Sequence, residues 1–300
     1  MKDQETDKSV AEQPAKPLVR DLTGLRISDK DFSRFAALIY EQCGIKMPLH
    51  KRSMLEARLR KRLRTLGLDS YEAYREYLFS SDGMVEELTN MIDVVTTNKT
   101  DFFREPRHFD YMIGTSVPAL IAKSGAGIER PLRIWSAGCS SGEEPYTIAM
   151  FLESFLWNSK KIDYQILATD ISTQVLEKAI LGIYHRDKIE PVPDDFRKKY
   201  LLKSKNPESR QVRIVPALRE KLKFCRVNFM DSSFEVGEAK DIIFCRNVII
   251  YFDRATQERF LHRLCQCLRS GGYLYMGHSE TLSGMPLPLN QLAPAIYQKK

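Results

Sequence analysis

A glycine turn followed by two acidic residues is the segment whose residue types most clearly indicate chemistry. Gly138 and Gly142 follow the short apolar run Leu132–Ala137, and Glu143 and Glu144 come next. Glycines carry no side chain, so the backbone amides of this turn can approach a ligand closely. The two carboxylates stand where a phosphate would otherwise lie at the start of a helix. The segment therefore disfavours a nucleotide phosphate and favours a ligand with a positive end.

A third acidic residue, Asp170, ends the next apolar run, Gln165–Asp170. A carboxylate at the end of a second strand typically accepts hydrogen bonds from the two hydroxyls of a ribose. Its distance from the glycine turn exceeds the usual spacing of about 20 residues, and a helix predicted from Tyr146 to Trp157 accounts for the excess. S-adenosylmethionine combines a ribose with a positively charged ammonium and sulfonium, so it satisfies both requirements.

The polar run Thr96–Arg104 precedes these strands and has two interpretations. In the simpler one it is a capped loop whose two phenylalanines belong to the core. In the other it forms a wall of the ligand site, where Asn98 and Thr100 bind the cofactor and Arg104 faces the reacting group.

The elements that must position these residues are those of an α/β fold. Further apolar runs alternate with helical stretches, which indicates a doubly wound, mostly parallel Rossmann-like sheet covered on both faces. These runs are Lys223–Asn228, Asp241–Phe252 and Gly272–Met276. Ligands of such sheets bind at the carboxyl ends of the strands. The candidates there are Gly138, Glu143, Glu144, Asp170, Asn228 and Asn247.

The first part of the chain has helical periodicity instead. Ser28 and Asp31 form a helix start, Lys51 to Leu66 carries a leucine stripe, and a third helix starts near Asp69. Val85, Leu88 and Ile92 suggest a fourth. We predict a small all-helical domain over 23–95, preceded by a flexible polar tail over 1–22.

The second of these helices is strongly basic, with seven Lys or Arg and one acidic residue between Lys51 and Arg64. A solvated face is the common explanation of such charge. Docking to an acidic partner, either protein or nucleic acid, is the alternative that we favour, because the excess is concentrated in one helix.

Length and composition limit the remaining possibilities. Three hundred residues suggest two domains, or one large domain with an appendage. The sequence contains no apolar run long enough to span a membrane. The six cysteines lie mostly in apolar surroundings and are typical of reduced cytoplasmic thiols. His262, Cys265 and Cys267 match no usual zinc spacing, so no metal is predicted.

Five motifs together resemble the CheR-type chemotaxis receptor methyltransferases, from about residue 25 to the end. They are the run at 96–104, Trp135–Tyr146, Ala168–Ile171, Phe244–Phe252 and Gly277–Glu280. The resemblance implies an enzyme that esterifies glutamates of chemoreceptors with S-adenosylmethionine and releases S-adenosylhomocysteine. It also implies a catalytic domain over 96–300 with a small antiparallel β insertion over 188–222, and a helical domain that docks on the receptors' methylation helices.

The family's cofactor contacts fall on matching positions of this chain. They are Asn98, Thr100, Arg104, one of Glu143 and Glu144, Asp170, Asn228, Phe229 and the turn Cys245, Arg246, Asn247 and Val248. Which glutamate contacts the cofactor is open. For docking, we select Arg58, Arg62 and Arg64 of the basic helix.

The expected chemistry needs alignment more than proton transfer. A glutamate, with an ordinary pKa of about 4.3, is already ionised at neutral pH, so no general base is required. Arg104 is suited to hold its carboxylate. Tyr251 either lines the transfer site or is a core aromatic, and His278 is assigned to structural packing.

Two other functions stay open. A nucleic-acid methyltransferase would explain the basic helix, but Asn247 to Tyr251 lacks the two prolines of the DNA amino-methyltransferase motif. A cofactor-binding sensor would not need Arg104. The stretch 203–211 lacks the glycines with which some family members grip a receptor tail peptide, so we expect no dependence on one. We expect a cytoplasmic monomer without membrane insertion.

Overall fold

The computed structural model describes residues 22, 24–158, 160–206 and 208–300. Residues 1–21 of the predicted polar tail lie outside the described residues. Leu22, the last residue of that predicted tail, is buried among the apolar side chains of the helical domain.

Five helices form the N-terminal all-α domain. They are α1 (Asp29–Cys43), α2 (Arg52–Leu66), α3 (Tyr71–Leu78), α4 (Ser81–Glu86) and α5 (Leu88–Val95), with a 3₁₀ turn at Leu49–Lys51. The Ser28 side chain accepts a hydrogen bond from Asp31 N, so the predicted helix start is confirmed. The leucine stripe of α2 is buried at Leu55, Leu59 and Leu63.

The predicted fourth helix is two helices, α4 and α5, so that prediction was wrong. Ser80 caps α4 through Gly83 N, and a Cβ at Gly83 would lie 1.9 Å from Tyr77 O. This close approach to α3 fixes the direction of α4 separately from that of α5. Val85 is consequently 82% exposed and contributes nothing to the core.

The rest of the chain forms an α/β domain. Its strands are β1 (Leu132–Ala137), β2 (Leu156–Trp157), β3 (Lys160–Lys161), β4 (Tyr164–Asp170), β5 (Ile183–His185), β6 (Leu201–Lys203), β7 (Gln211–Ile214), β8 (Leu222–Arg226), β9 (Lys240–Cys245), β10 (Leu268–Met276), β11 (Leu289–Ala293) and β12 (Ile296–Lys299). The main sheet has the order β11-β12-β10-β9-β1-β4-β8. Its pairs from β10 to β8 are parallel, whereas β12 pairs antiparallel with both β10 and β11. The predicted mostly parallel sheet is confirmed.

Helices cover both faces of this sheet. They are α6 (Arg107–Tyr111), α7 (Val117–Ser124), α8 (Glu143–Ser154), α9 (Thr173–Leu181), α10 (Asp194–Tyr200), α11 (Pro216–Arg219) and α12 (Arg254–Gln266), with a π-helical segment at Met112–Ser116 and 3₁₀ turns at Arg186–Ile189 and Ile249–Tyr251. One core packs around Ile134 and Phe244, and the other packs around Trp135 and Phe260. Ligand-binding residues are thereby left at the strand ends.

A small antiparallel sheet of order β5-β7-β6 stands apart from the main sheet. The expected small β insertion is thus present, and its paired strands run from Ile183 to Ile214. Within the described residues, none of the helices has the length and apolarity needed to cross a bilayer.

Candidate functional site

A cavity of about 250 Å³ opens at the carboxyl ends of β1, β4 and β9. Its walls come from the segment after α5, the glycine turn, the ends of β4 and β8, and the turn after β9. The predicted site residues that line it are Asn98, Thr100, Arg104, Gly138, Glu144, Asp170, Asn228, Phe229, Arg246, Asn247, Val248 and Tyr251. Glu143 and Cys245 do not line it.

The glycine turn owes its shape to Gly138. This residue has φ +83°, in the left-handed region that favours glycine. A Cβ there would lie 2.5 Å from Val248 Cγ2, across the turn after β9. The two turns therefore pack against each other only because position 138 has no side chain.

The two glutamates of the motif face different surroundings. Glu143 is 1% exposed and accepts a hydrogen bond of 2.7 Å from Ser141 Oγ. Glu144 lines the cavity, where it accepts a hydrogen bond of 2.7 Å from Ser136 Oγ. Of the two glutamates, Glu144 therefore lines the cavity and Glu143 does not.

Arg246 joins two carboxylates at the edge of the cavity. Its side chain is only 2% exposed, and Nη1 lies 3.2 Å from Glu144 Oε2 while Nη2 lies 3.1 Å from Glu105 Oε2. Burial raises the pKa of the Glu144 carboxyl, although Arg246 and Ser136 oppose that effect. With both glutamates ionised, this group of three carries one net negative charge beside the cavity.

Asp170 is held rigidly at the end of β4. Its Oδ2 accepts a hydrogen bond of 2.9 Å from Ser140 N, and Oδ1 accepts one of 3.0 Å from Ser172 N. Burial raises the pKa of this carboxyl, and the backbone amides partly counteract it. The remaining lone pairs are available to a diol, as expected for a ribose-binding acid.

The segment 96–104 combines the two interpretations that its sequence left open. Asn98, Thr100 and Arg104 line the cavity, and Asn98 O accepts a hydrogen bond of 3.0 Å from Ser140 Oγ. Phe102 is 1% exposed and packs in the core. The segment therefore forms a wall of the cavity, and the buried ring of Phe102 holds it against the core.

The turn after β9 depends on a residue to which sequence reasoning gave no role. The carboxylate of Glu280 accepts four backbone hydrogen bonds, from Gly277 N (2.7 Å), Asn247 N (2.8 Å), Val248 N (2.8 Å) and Ile249 N (2.9 Å). Asn247 has φ +59°, a conformation that non-glycine residues rarely adopt. The motif Gly277–Glu280 was the available signal, because a glutamate after the last parallel strand can reach a neighbouring turn.

The helical domain closes one side of the cavity. Cys43 and Ile45, at the end of α1, line it. Asn228 Nδ2 donates a hydrogen bond of 2.7 Å to Gln42 O, and Lys46 N donates one of 3.1 Å to Tyr251 O. The segment 42–46 is thus a roof over the site, and we call it the roof segment.

The three arginines selected for docking differ in their surroundings. Arg62 makes two hydrogen bonds of 2.7 Å to Glu87, whose side chain is 2% exposed. Arg58 donates to Val95 O and, at 2.8 Å, to Thr97 Oγ1 at the cavity rim. Arg64 is exposed. The structure therefore gives Arg62 an internal structural role, because its guanidinium is already paired with a buried carboxylate.

Arg58 also connects α2 to the predicted transfer site. Burial lowers the pKa of its guanidinium, and the nearby Tyr251 hydroxyl acts in the opposite direction. Tyr251 itself is half-buried and lines the cavity. The basic helix α2 thus lies next to the opening of the cavity.

The donor set of the cavity suits the expected cofactor. Glu144 suits an ammonium or sulfonium, Asp170 suits a ribose, and Phe229 and Val248 offer apolar surface. S-adenosylmethionine has groups that match each of these features.

Most of the chain matches two family descriptions that belong together. Residues 98–296 match the family described as the CheR methyltransferase, SAM binding domain, and residues 30–96 match the CheR methyltransferase, all-alpha domain. A chemotaxis protein methyltransferase of Borreliella burgdorferi is 38% identical over 92% of this chain and 96% of its own length. Proteins with the same description from Salmonella typhimurium (36% identity, 91% of each chain) and Escherichia coli (38%, covering 91% and 92%) are also similar.

Proposed function

The chain belongs to the CheR methyltransferase family, and from this premise we propose that it methylates glutamate side chains of chemoreceptors. The methyl group comes from S-adenosylmethionine, and the products are glutamate methyl esters and S-adenosylhomocysteine. The observation that carries the proposal is that the basic helix α2 reaches the cavity, where Arg58 donates a hydrogen bond to Thr97 Oγ1 at the rim and Tyr251 forms part of the lining. A cationic cofactor and an acidic protein substrate would meet there.

Four residues would hold the cofactor's polar groups. Glu144 would face its positive end, Asp170 would accept from the ribose, and Asn98 and Thr100 would bind from the opposite wall. When bound, S-adenosylmethionine supplies an activated methyl group on a positively charged sulfur. The protein therefore has to provide orientation and a complementary field rather than an acid or a base.

Arg104 and Tyr251 would position the substrate. Arg104 lines the cavity, and its intramolecular hydrogen bond, to Lys99 O at 3.4 Å, is long. A guanidinium with so little internal engagement is free to pair with an incoming carboxylate. Tyr251 would close the other side of the reacting pair. An ionised glutamate then needs only to be brought in line with the methyl carbon and the sulfur.

Docking on the receptor would use the exposed positive charge of α2. Arg64 and Lys61 are exposed, and Arg58 lies where α2 reaches the cavity. Acidic methylation helices of a receptor cytoplasmic domain are the complementary partner. We further propose that the enzyme acts as a cytoplasmic monomer, that it does not require a receptor tail peptide, and that it does not use nucleic acid.

Methyl-labelled S-adenosylmethionine tests the proposal directly. The protein is incubated with the label and a panel of receptor cytoplasmic fragments, and the product is treated with mild base. Label released as methanol is expected, because carboxyl esters hydrolyse under these conditions whereas N-methyl groups do not. Base-stable label would overturn the proposal in favour of nitrogen methylation.

A nucleic-acid substrate and two protein variants distinguish the proposed function from its alternatives. Transfer to DNA or RNA, with strong salt dependence of binding, would indicate the nucleic-acid alternative. Arg104→Lys is expected to reduce transfer to the receptor fragment and to leave cofactor binding much less affected. The matched control is Arg107→Lys, an exposed arginine outside this cavity, which is expected to act like the unmodified protein.

A further inference from the structure

Two histidines and a glutamate form a cluster beside the Glu105–Arg246 ion pair. The potential ligand atoms of Glu105, His108 and His278 all lie within 4.8 Å of one another. His108 Nδ1 is 3.4 Å, and His278 Nε2 is 3.9 Å, from Glu105 Oε2. The two imidazole rings stand edge to face with centroids 4.9 Å apart. Two imidazoles and one carboxylate therefore lie close enough together to contact a common ligand.

His108 is a buried polar side chain whose ring nitrogens lack hydrogen-bond partners in the part of the chain that the structure describes. It is 1% exposed, yet neither of its ring nitrogens has a hydrogen-bond partner among the described residues. Buried polar groups are normally paired, and leaving one unpaired is unfavourable. A group that binds at this position would supply the missing partner.

We propose that Glu105, His108 and His278 bind a divalent transition-metal ion of the zinc class. Two imidazoles and one carboxylate are a ligand set that Zn²⁺ takes together with a fourth, open position. Ligands about 2.1 Å from a tetrahedral ion are about 3.4 Å apart, so the widest separation in the cluster must shorten. His278 can provide that movement, because its side chain is 52% exposed and follows the end of β10.

The surroundings give the ion access and also limit its affinity. A cavity of about 660 Å³, separate from the cofactor cavity, is lined by His108 and His278 and offers both an entry path and room for a water ligand. Two arginines are the positive neighbours: Arg107 lines this cavity, and Arg246 shares Glu105 Oε2. The ion would compete with Arg246 for that oxygen, so we expect moderate affinity.

Calorimetric titration of the full-length reduced protein with ZnCl₂ tests this site. One ion is expected to bind per chain. His278→Ala is expected to weaken that binding at least about tenfold, since even outer-shell changes commonly cost that much. His262→Ala is the matched control, because His262 is an exposed histidine of α12 outside the cluster; it should bind Zn²⁺ like the unmodified protein.

Because His278 is exposed, its replacement should leave folding intact, and circular dichroism checks this. An unchanged isotherm in His278→Ala would overturn the proposal, as would equal losses in the His262 and His278 variants or the absence of binding by the unmodified protein. The titration needs neither cofactor nor receptor, so its outcome is independent of the methylation assay.

Discussion

Glu280→Gln removes half of the acceptor capacity that holds the turn after β9. The glutamate accepts four backbone N–H groups with two oxygens. Glutamine keeps one oxygen and replaces the other with an NH₂ group, which cannot accept. One buried and one partly buried backbone N–H therefore lose their acceptor and face an NH₂ group.

The magnitude follows from those two donors. An unsatisfied buried donor costs about 1–3 kcal/mol, and the partly buried donor can be reached by water, so the substitution should lower the free energy of unfolding by about 1–3 kcal/mol. Asn247 and Val248, which line the cofactor cavity, belong to the freed turn. Affinity for S-adenosylmethionine should therefore fall together with stability.

Urea unfolding and calorimetric cofactor titration measure the two effects. Glu235→Gln is the matched control, because Glu235 is an exposed glutamate, and it should change stability by no more than about 0.5 kcal/mol. If Glu280→Gln stayed within that same range, the four hydrogen bonds would not be holding the turn and the reasoning would be refuted.

Three further predictions concern the site and the basic helix. Gly138→Ala should weaken cofactor binding, since its Cβ would meet Val248 at 2.5 Å and its φ of +83° is left-handed; unchanged affinity in a titration would contradict this. Arg62→Ala should lower the free energy of unfolding by about 3–5 kcal/mol because it leaves a buried carboxylate unpaired, whereas Arg64→Ala should leave thermal unfolding unchanged and slow receptor methylation. Burial raises the pKa of Glu144, and protonation removes its charge, so cofactor affinity should begin to fall at a pH above the ordinary glutamate pKa of about 4.3. An affinity that stays constant down to about pH 4.3 would show that the charge of Glu144 does not hold the cofactor.

Local patterns predicted most of the fold. The apolar runs that became β1, β4, β9 and β10 are mostly buried, so their composition indicates the parallel sheet directly, whereas β8 lies at the sheet edge and is only partly buried. The Ser28 cap is equally local. The single fourth helix failed because periodicity ignores the close contact that Gly83 makes with α3.

The site was less predictable where contacts between residues far apart in the sequence determine the role of a side chain. Residue types alone do not distinguish Glu143 from Glu144, because the difference lies in which one meets Arg246, about a hundred positions later in the chain. The role of Arg62 is hidden in the same way, since its charge suggests solvent while Glu87 neutralises it internally. Glu280 accepts from backbone amides of a neighbouring turn, so the motif Gly277–Glu280 marks the residue without indicating which turn it holds.

The roof segment has a consequence for how this enzyme can evolve. It lies in sequence between the end of α1 and the start of the basic helix, and Gln42 and Lys46 form hydrogen bonds with Asn228 and Tyr251, which line the cavity. Under the proposed function, one short stretch of chain therefore adjoins both the cavity that would hold the cofactor and the helix that would dock the receptor. We therefore expect a substitution there to change turnover frequency and target preference together, which would couple the catalytic rate to the sequence of the receptor.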